Sequence, residues 1–193
     1  MAAALGASLV AMVATLTQGR PKYAQHAALC DAVTPAAEEL ASALLDLADE
    51  DAQAYAACAL ALKLPREAFA DKELRDAQVR ATAKVAAEVP LRCVERCLDA
   101  LHLAEALAGR SNANASSDLR VASLLLEAAA DGAAANVLVN LPLIGTNDWT
   151  TATEARVKEL LAEATAVAKA TRAVVAGGEP RPALRQLPAW PRT

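Results

Sequence analysis

The sequence predicts an all-α protein, an antiparallel bundle of about five to six helices. Three observations point there. Hydrophobic residues make up 55% of the 193 positions and aromatics only 3%, so the apolar mass is mostly Ala, Leu and Val. Ala and Leu head the helix-propensity scale, and aromatic strand formers are scarce. Apolar residues recur at three- and four-residue intervals, the period of one helix face, and no stretch alternates with the period of a strand. Glycines and prolines cut the chain into helix-length pieces, without any internal repeat.

The first piece, Met1 to Thr17, is a continuous apolar run with no basic residue ahead of it, shorter than the roughly 20 residues that cross a bilayer. Ala4, Ala7, Ser8, Ala11 and Ala14 let neighbouring backbones approach closely, so the run reads as a fully buried helix, inside the bundle or at a subunit contact. Gly19 and Pro21 break it. A second helical stretch runs from about Tyr23 to Lys63, with Pro35 expected to kink or restart it, and Leu64-Pro65 closes it. A charged, exposed segment from Glu67 to Arg80 leads into a third helix, and Val89-Pro90 separates that from a fourth ending near Gly109. Arg110 to Asp118 reads as a polar loop with Ser117 or Asp118 as an N-cap. The fifth helix extends to about Leu141, where Pro142 and Gly145 interrupt. The last starts at Thr150 or Thr151 and stops at Gly177-Gly178. Residues 1–178 form one helical domain; 179–193, with Pro180, Pro182, Pro188 and Pro191, form a tail that is either disordered or draped over the bundle.

A net charge of -4 and a pI near 5.3, with no basic stripe interleaved with aromatics, argue against a nucleic-acid partner. Cys30, Cys58, Cys93 and Cys97 lie in helical patterns without a CxxC pair or a nearby histidine, and read as buried reduced thiols of a cytoplasmic protein rather than a metal site. Cys93 and Cys97 share a helix face. His26 and His102 stand on different helices as ordinary structural histidines. No metal is expected, and no membrane partner.

Two places break the apolar pattern. Leu40, Leu44, Leu47, Tyr55, Cys58 and Leu62 define one face of the second helix, and Asp51 falls on it, whereas Asp49 and Glu50 fall off it as surface charges. A carboxylate among apolar neighbours is costly unless paired or hydrogen-bonded. Asp51 therefore either caps or pairs at the bundle end, or serves in proton transfer; the pattern leaves both open. In the fifth helix Ala122, Leu125, Ala129 and Ala133 continue into Asn136 and Asn140, two amides on an apolar face that either glue helices together or contact a ligand. The loop adds Asn112, Asn114, Ser116, Ser117 and Asp118.

Taken in order, these segments resemble the cyclodeaminase and cyclohydrolase family of folate enzymes. Leu16-Thr17-Gln18-Gly19-Arg20-Pro21-Lys22-Tyr23 is similar to the family's threonine, glycine and basic-aromatic turn. Asp49-Glu50-Asp51-Ala52-Gln53-Ala54-Tyr55 is similar to its Asp-x-Asp-Ala-x-Ala-aromatic helix, and Ser117-Asp118-Leu119 to its Ser-Asp helix start. Leu62-Lys63-Leu64-Pro65, Val89-Pro90-Leu91 and Asn136-Val137-Leu138-Val139-Asn140-Leu141 complete the set, which covers about Ala2 to Val175. The resemblance implies an all-helical bundle that forms a homodimer and carries its catalytic carboxylate at Asp51. It implies cyclisation of formimidoyltetrahydrofolate to methenyltetrahydrofolate with release of ammonia, or, in the same site, hydrolysis of the methenyl bridge to formyltetrahydrofolate. Arg20 and Lys22 become candidates for the folate's glutamate carboxylates; Tyr23, Asn112, Asn114, Ser117, Asp118, Asn136 and Asn140 become candidates for further substrate contacts, with no cofactor beyond the folate. Two features depart from the family: its Pro-Gly-Gly-Gly-Ser segment before the first helix has no counterpart ahead of Met1, and Pro21 stands where a basic residue is usual. The first departure means either that the chain starts downstream of the natural start or that part of the site is lost, and it favours a third reading, a catalytically silent dimeric helical binding or scaffold protein.

Overall fold

A computed structural model describes residues 1–65 and 69–187. Five long helices carry the fold: α1 (Ala2–Thr15), α2 (Ala27–Leu62), α3 (Phe69–Leu107), α4 (Ser116–Ile144) and α5 (Asp148–Gly177). Short 3-10 turns at Pro21–His26 and Ala113–Ala115 lead into α2 and α4, and no strand occurs among the described residues. Successive helices pack against each other, and α3 lies centrally, touching α1, α2, α4 and α5. Short connections force neighbours to run antiparallel, as the sequence implied.

Alanine sets the packing distance. The inward face of α1 is Ala3, Ala4, Gly6, Ala7, Val10, Ala11, Val13 and Ala14, all buried, while Leu5, Met12 and Leu16 are exposed. The helix is therefore buried along one face rather than all round. Gly6 lets it approach α4 closely: a Cβ there would lie 2.7 Å from Leu126 Cγ and 3.3 Å from the Ala122 carbonyl oxygen.

Three prolines fail to break their helices. Pro35 lies inside α2, which begins at Ala27 and continues past it; Pro90 lies inside α3, so the expected third and fourth helices are one; Pro142 lies inside α4, which reaches Ile144 rather than Leu141. A proline cannot donate to the carbonyl four residues before it. For Pro35 and Pro142 those carbonyls belong to Asp31 and Leu138, both exposed residues. Pro90 is buried and the carbonyl it abandons is that of buried Ala86. Asn140 on α4 donates its Nδ2 amide to that oxygen at 3.1 Å, and to the Asn136 carbonyl at 2.8 Å. One of the two anomalous asparagines thus replaces the backbone donor that Pro90 lacks, and α3 continues.

The helix ends follow a different chemistry from the one the sequence implied. Neither Ser117 nor Asp118 caps α4; the N-cap position is Ala115, without a side-chain bond, and Asp118 sits in the first turn, where a negative charge suits the helix dipole. At α5, Asn147 is the N-cap and exchanges bonds with Thr150 in a capping box. Residues 71–80, expected as an exposed lead-in, are already helical, whereas Glu67 lies outside the described residues.

The described part of the tail is draped over the bundle. Arg181 donates its backbone N–H to the Gly109 carbonyl at 2.8 Å and its guanidinium to Glu105 at 2.6 Å; Arg110 Nε donates to the Pro182 carbonyl at 2.8 Å. Gly109 has a φ of +71°, and a Cβ on it would stand 2.9 Å from the Glu179 carbonyl oxygen, so the strap seats against a position only glycine fills.

Candidate active site

Near the start of α1 a cavity of about 220 Å³ opens between α1, α2, α3 and α4, lined by residues that include Ala2, Leu47, Asp51, Pro90, Cys93 and Asn136. Its walls are largely apolar, and Gly132 and Ala133 keep the α4 side shallow. Asp51 is half-buried and brings a carboxylate to this wall. The three consecutive acids have separate fates. Asp49 is exposed, Glu50 pairs with Arg92 across α2 and α3, and Asp51 has neither a salt bridge nor a side-chain hydrogen bond among the described residues. The helical period produces this division: 100° per residue turns each acid to a new environment. An unpaired carboxylate beside an apolar cavity can accept a proton from a bound molecule and return it, and can face a cation.

Asn136 is exposed and lines the same cavity, one turn before Asn140, whose amide is committed to the Ala86 carbonyl. Of the two amides singled out by spacing, Asn136 faces ligand space and Asn140 holds helices together.

The remaining candidates gather at the other end of α1. The backbone N–H of Asn112 donates to Thr17 Oγ1 at 2.9 Å, and its Nδ2 to the Leu16 carbonyl at 3.3 Å; the Ala113 N–H donates to the Tyr23 hydroxyl at 3.0 Å. Asn112 is buried and also accepts from the Asn114 N–H at 3.1 Å, while Asn114, Ser117, Arg20 and Lys22 are exposed and Asp118 is half-buried. Lys22 Nζ lies 5.4 Å from the centre of the Tyr23 ring. The turn after α1 and the loop before α4, distant in sequence, are thus one tied cluster. The 14 residues of α1 separate it from Asp51 by about 21 Å at 1.5 Å per residue. Within one chain the two sets of candidates do not share a single pocket.

The thiols divide as well. Cys30, Cys58 and Cys97 are buried, but Cys93, read from the sequence as another buried thiol, is half-buried and lines the cavity. Its position one turn from Pro90 was the only signal available. His26 is buried, and desolvation, with the charge of Arg110, lowers its imidazole below the ordinary value; His102 bonds Glu163 at 3.1 Å. Among the described residues no group of three or more His, Cys, Asp and Glu side chains is placed to hold a metal ion.

Comparison with known proteins places this geometry. A methenyltetrahydrofolate cyclohydrolase of Methylorubrum extorquens is 38% identical over 167 residues, 85% of this chain and 79% of that protein. A formimidoyltransferase-cyclodeaminase of Rattus norvegicus is 33% identical over 162 residues; the match takes in 84% of this chain but only 30% of that longer protein. The crystal structure of a formiminotetrahydrofolate cyclodeaminase from Thermotoga maritima superposes with a TM-score of 0.82 at 25% identity, over 91% of this chain and 84% of that one. Residues 1–159 match the formiminotransferase-cyclodeaminase family, and with these relatives the match assigns the chain to that family of folate one-carbon enzymes.

Proposed function

We propose that the protein acts on the one-carbon bridge of tetrahydrofolate in the cavity beside Asp51, opening the methenyl bridge with water to give formyltetrahydrofolate. The observation that carries this reading is the Asp51 carboxylate, unpaired among the described residues and set in an apolar wall on the acidic helix motif. The methenyl substrate is a cation, which a carboxylate held near it stabilises. Asp51 takes a proton from the attacking water as its oxygen bonds to the bridge carbon, then returns it to the nitrogen that departs; the hydroxyl of the adduct loses its own proton as the formyl group forms. The cavity, about 220 Å³, is smaller than the roughly 300–1,000 Å³ of a pocket that encloses a whole drug-sized ligand. It suits the reacting ring system, with the rest of the folate lying along the surface. Arg20 and Lys22 then serve glutamate carboxylates only where the tail extends some 20 Å along α1.

Similarity to the stand-alone cyclohydrolase over most of its length favours hydrolysis. A second reading, cyclodeamination of formimidoyltetrahydrofolate, draws on the structural neighbour. There the neighbouring nitrogen attacks the formimidoyl carbon, and Asp51 carries the attacking nitrogen's proton to the ammonia that leaves. Each reaction is assayed separately, by consumption of methenyltetrahydrofolate and by ammonia release. In either assay Asp51→Asn remains folded and loses turnover by at least about 100-fold, the scale of general acid–base catalysis. Equal turnover in variant and parent removes Asp51 from the chemistry, and no turnover by the parent in either assay favours the silent scaffold.

A further inference from the structure

One buried arginine joins the C-terminal strap to the basic turn after α1. Arg110 is 5% exposed, and among the described residues no carboxylate pairs with it; its guanidinium donates Nε to the Pro182 carbonyl at 2.8 Å and Nη1 to the Ala106 carbonyl at 3.0 Å. A neutral side chain would fill that space without desolvating a charge, so packing alone does not explain the choice. The guanidinium fork instead fixes the end of α3 and the strap in one geometry. Two residues on, Asn112 donates its N–H to Thr17 Oγ1 and its Nδ2 to the Leu16 carbonyl, and the Ala113 N–H meets the Tyr23 hydroxyl. Thr17 is 2% exposed and is itself bonded to the Val13 carbonyl at 2.7 Å. Arg20 and Lys22 fall between these two ties, exposed and without a salt bridge among the described residues. Their backbone is therefore held at both ends while their charges stay free for a ligand. The strap lies beyond residues 1–159, the part of the chain that matches the family.

We propose that Arg110 is a positioning residue for the Arg20–Lys22 turn and that the strap at 179–187 is its lock, so that the C-terminal segment sets how tightly the anionic tail of the substrate binds. This rests on the folate reading, with Arg20 and Lys22 meeting the glutamate carboxylates. Freed of the strap, Arg110 loses the Pro182 acceptor, and the segment from 110 to 113 loses the brace that holds its bonds to Thr17 and Tyr23 in register. The turn then has to be ordered at the moment of binding, and that cost is taken from the affinity. Asp51 stands the length of α1 away, so the chemical step is untouched. The signature is a raised KM at constant kcat, confined to substrates that carry the glutamate.

Two substitutions in the full chain release the strap without changing its charge. Gly109→Ala drives a Cβ against the Glu179 carbonyl oxygen, and Leu184→Ala removes a side chain that packs against the core. Arg110→Lys acts from the other side, keeping the charge but losing the fork that reaches two carbonyls. Kinetics are measured with methenyltetrahydrofolate and with methenyltetrahydropteroate, which lacks the glutamate. Each variant is expected to raise KM for the first by about fivefold to tenfold at unchanged kcat, with the variant-to-parent KM ratio for the second near one. Because the three changes strike different points of one chain of contacts, misfolding of any one leaves the other two to decide. A KM that rises equally for both substrates, a fall in kcat alone, or an unchanged KM where proteolysis shows the strap released overturns the proposal and leaves the folate reading standing. Arg20→Gln with Lys22→Gln raises KM for the glutamate-bearing substrate in the same way; no rise there overturns the tail contact and this proposal together, while Asp51 keeps its role. Absent turnover by the parent protein overturns the folate reading, and the positioning with it.

Discussion

Asn140→Ala leaves the Ala86 carbonyl without the amide that bonds it at 3.1 Å. Because Pro90 has no N–H and Ala86 is only 6% exposed, neither the helix nor bulk water readily replaces that donor. Leaving a buried carbonyl unsatisfied costs about 1–3 kcal/mol, so the variant should lose that much in urea unfolding with an unchanged m value. The sharper measurement is a double-mutant cycle with Pro90→Ala, in which residue 90 regains an N–H aimed at the same oxygen. In that background Asn140→Ala should cost about 1 kcal/mol less than in the parent. The sign of Pro90→Ala alone is immaterial, since the lost ring packing cancels within the cycle. Equal costs in the two backgrounds would refute the reasoning and return Asn140 to the pool of ligand contacts.

Three further expectations follow from the packing. Gly6→Val places a Cβ 2.7 Å from Leu126 Cγ, a branch point in a fully buried side chain, and should destabilise by about 1–3 kcal/mol in the same assay. Gly109→Ala is strained at φ +71° and collides with the Glu179 carbonyl oxygen; it should release the strap, seen as faster proteolysis after residue 178 while the helical circular dichroism is retained. Burial, with the Asp31 carboxylate beside it, pushes the Cys30 thiol from 9.0 up to about 11. Between those values the unfolded chain ionises at this position and the folded chain does not, so stability falls as pH rises through the window. Two units at about 1.36 kcal/mol each set the loss at roughly 2–3 kcal/mol, and Cys30→Ala should flatten that slope in unfolding titrations from pH 8.5 to 11.

Much of the candidate site was legible because it depends on local period. Asp51 stands out because a helix turns 100° per residue, which separates it from Asp49 and Glu50 without reference to any other element. The same reasoning failed at the prolines, where continuation depends on what lies opposite the orphaned carbonyl. Pro35 and Pro142 orphan the carbonyls of exposed residues, and Pro90 survives because α4 brings Asn140 to the carbonyl of buried Ala86. Cys93 was missed for a related reason, since spacing marks a helix face but does not distinguish a packed face from the wall of a cavity.

By itself the sequence determined the helical class, the five-helix division apart from Pro90, the acidic motif and the family, all properties carried by short-range propensity and ordered motifs. Tertiary structure alone decided that Asp51 opens onto a cavity, that Asn136 and Asn140 have different tasks, and that Arg20, Lys22 and Asn112 lie a helix length from the carboxylate. The physical reason is that each of these depends on contacts between residues far apart in the chain, which exist only once the helices have packed.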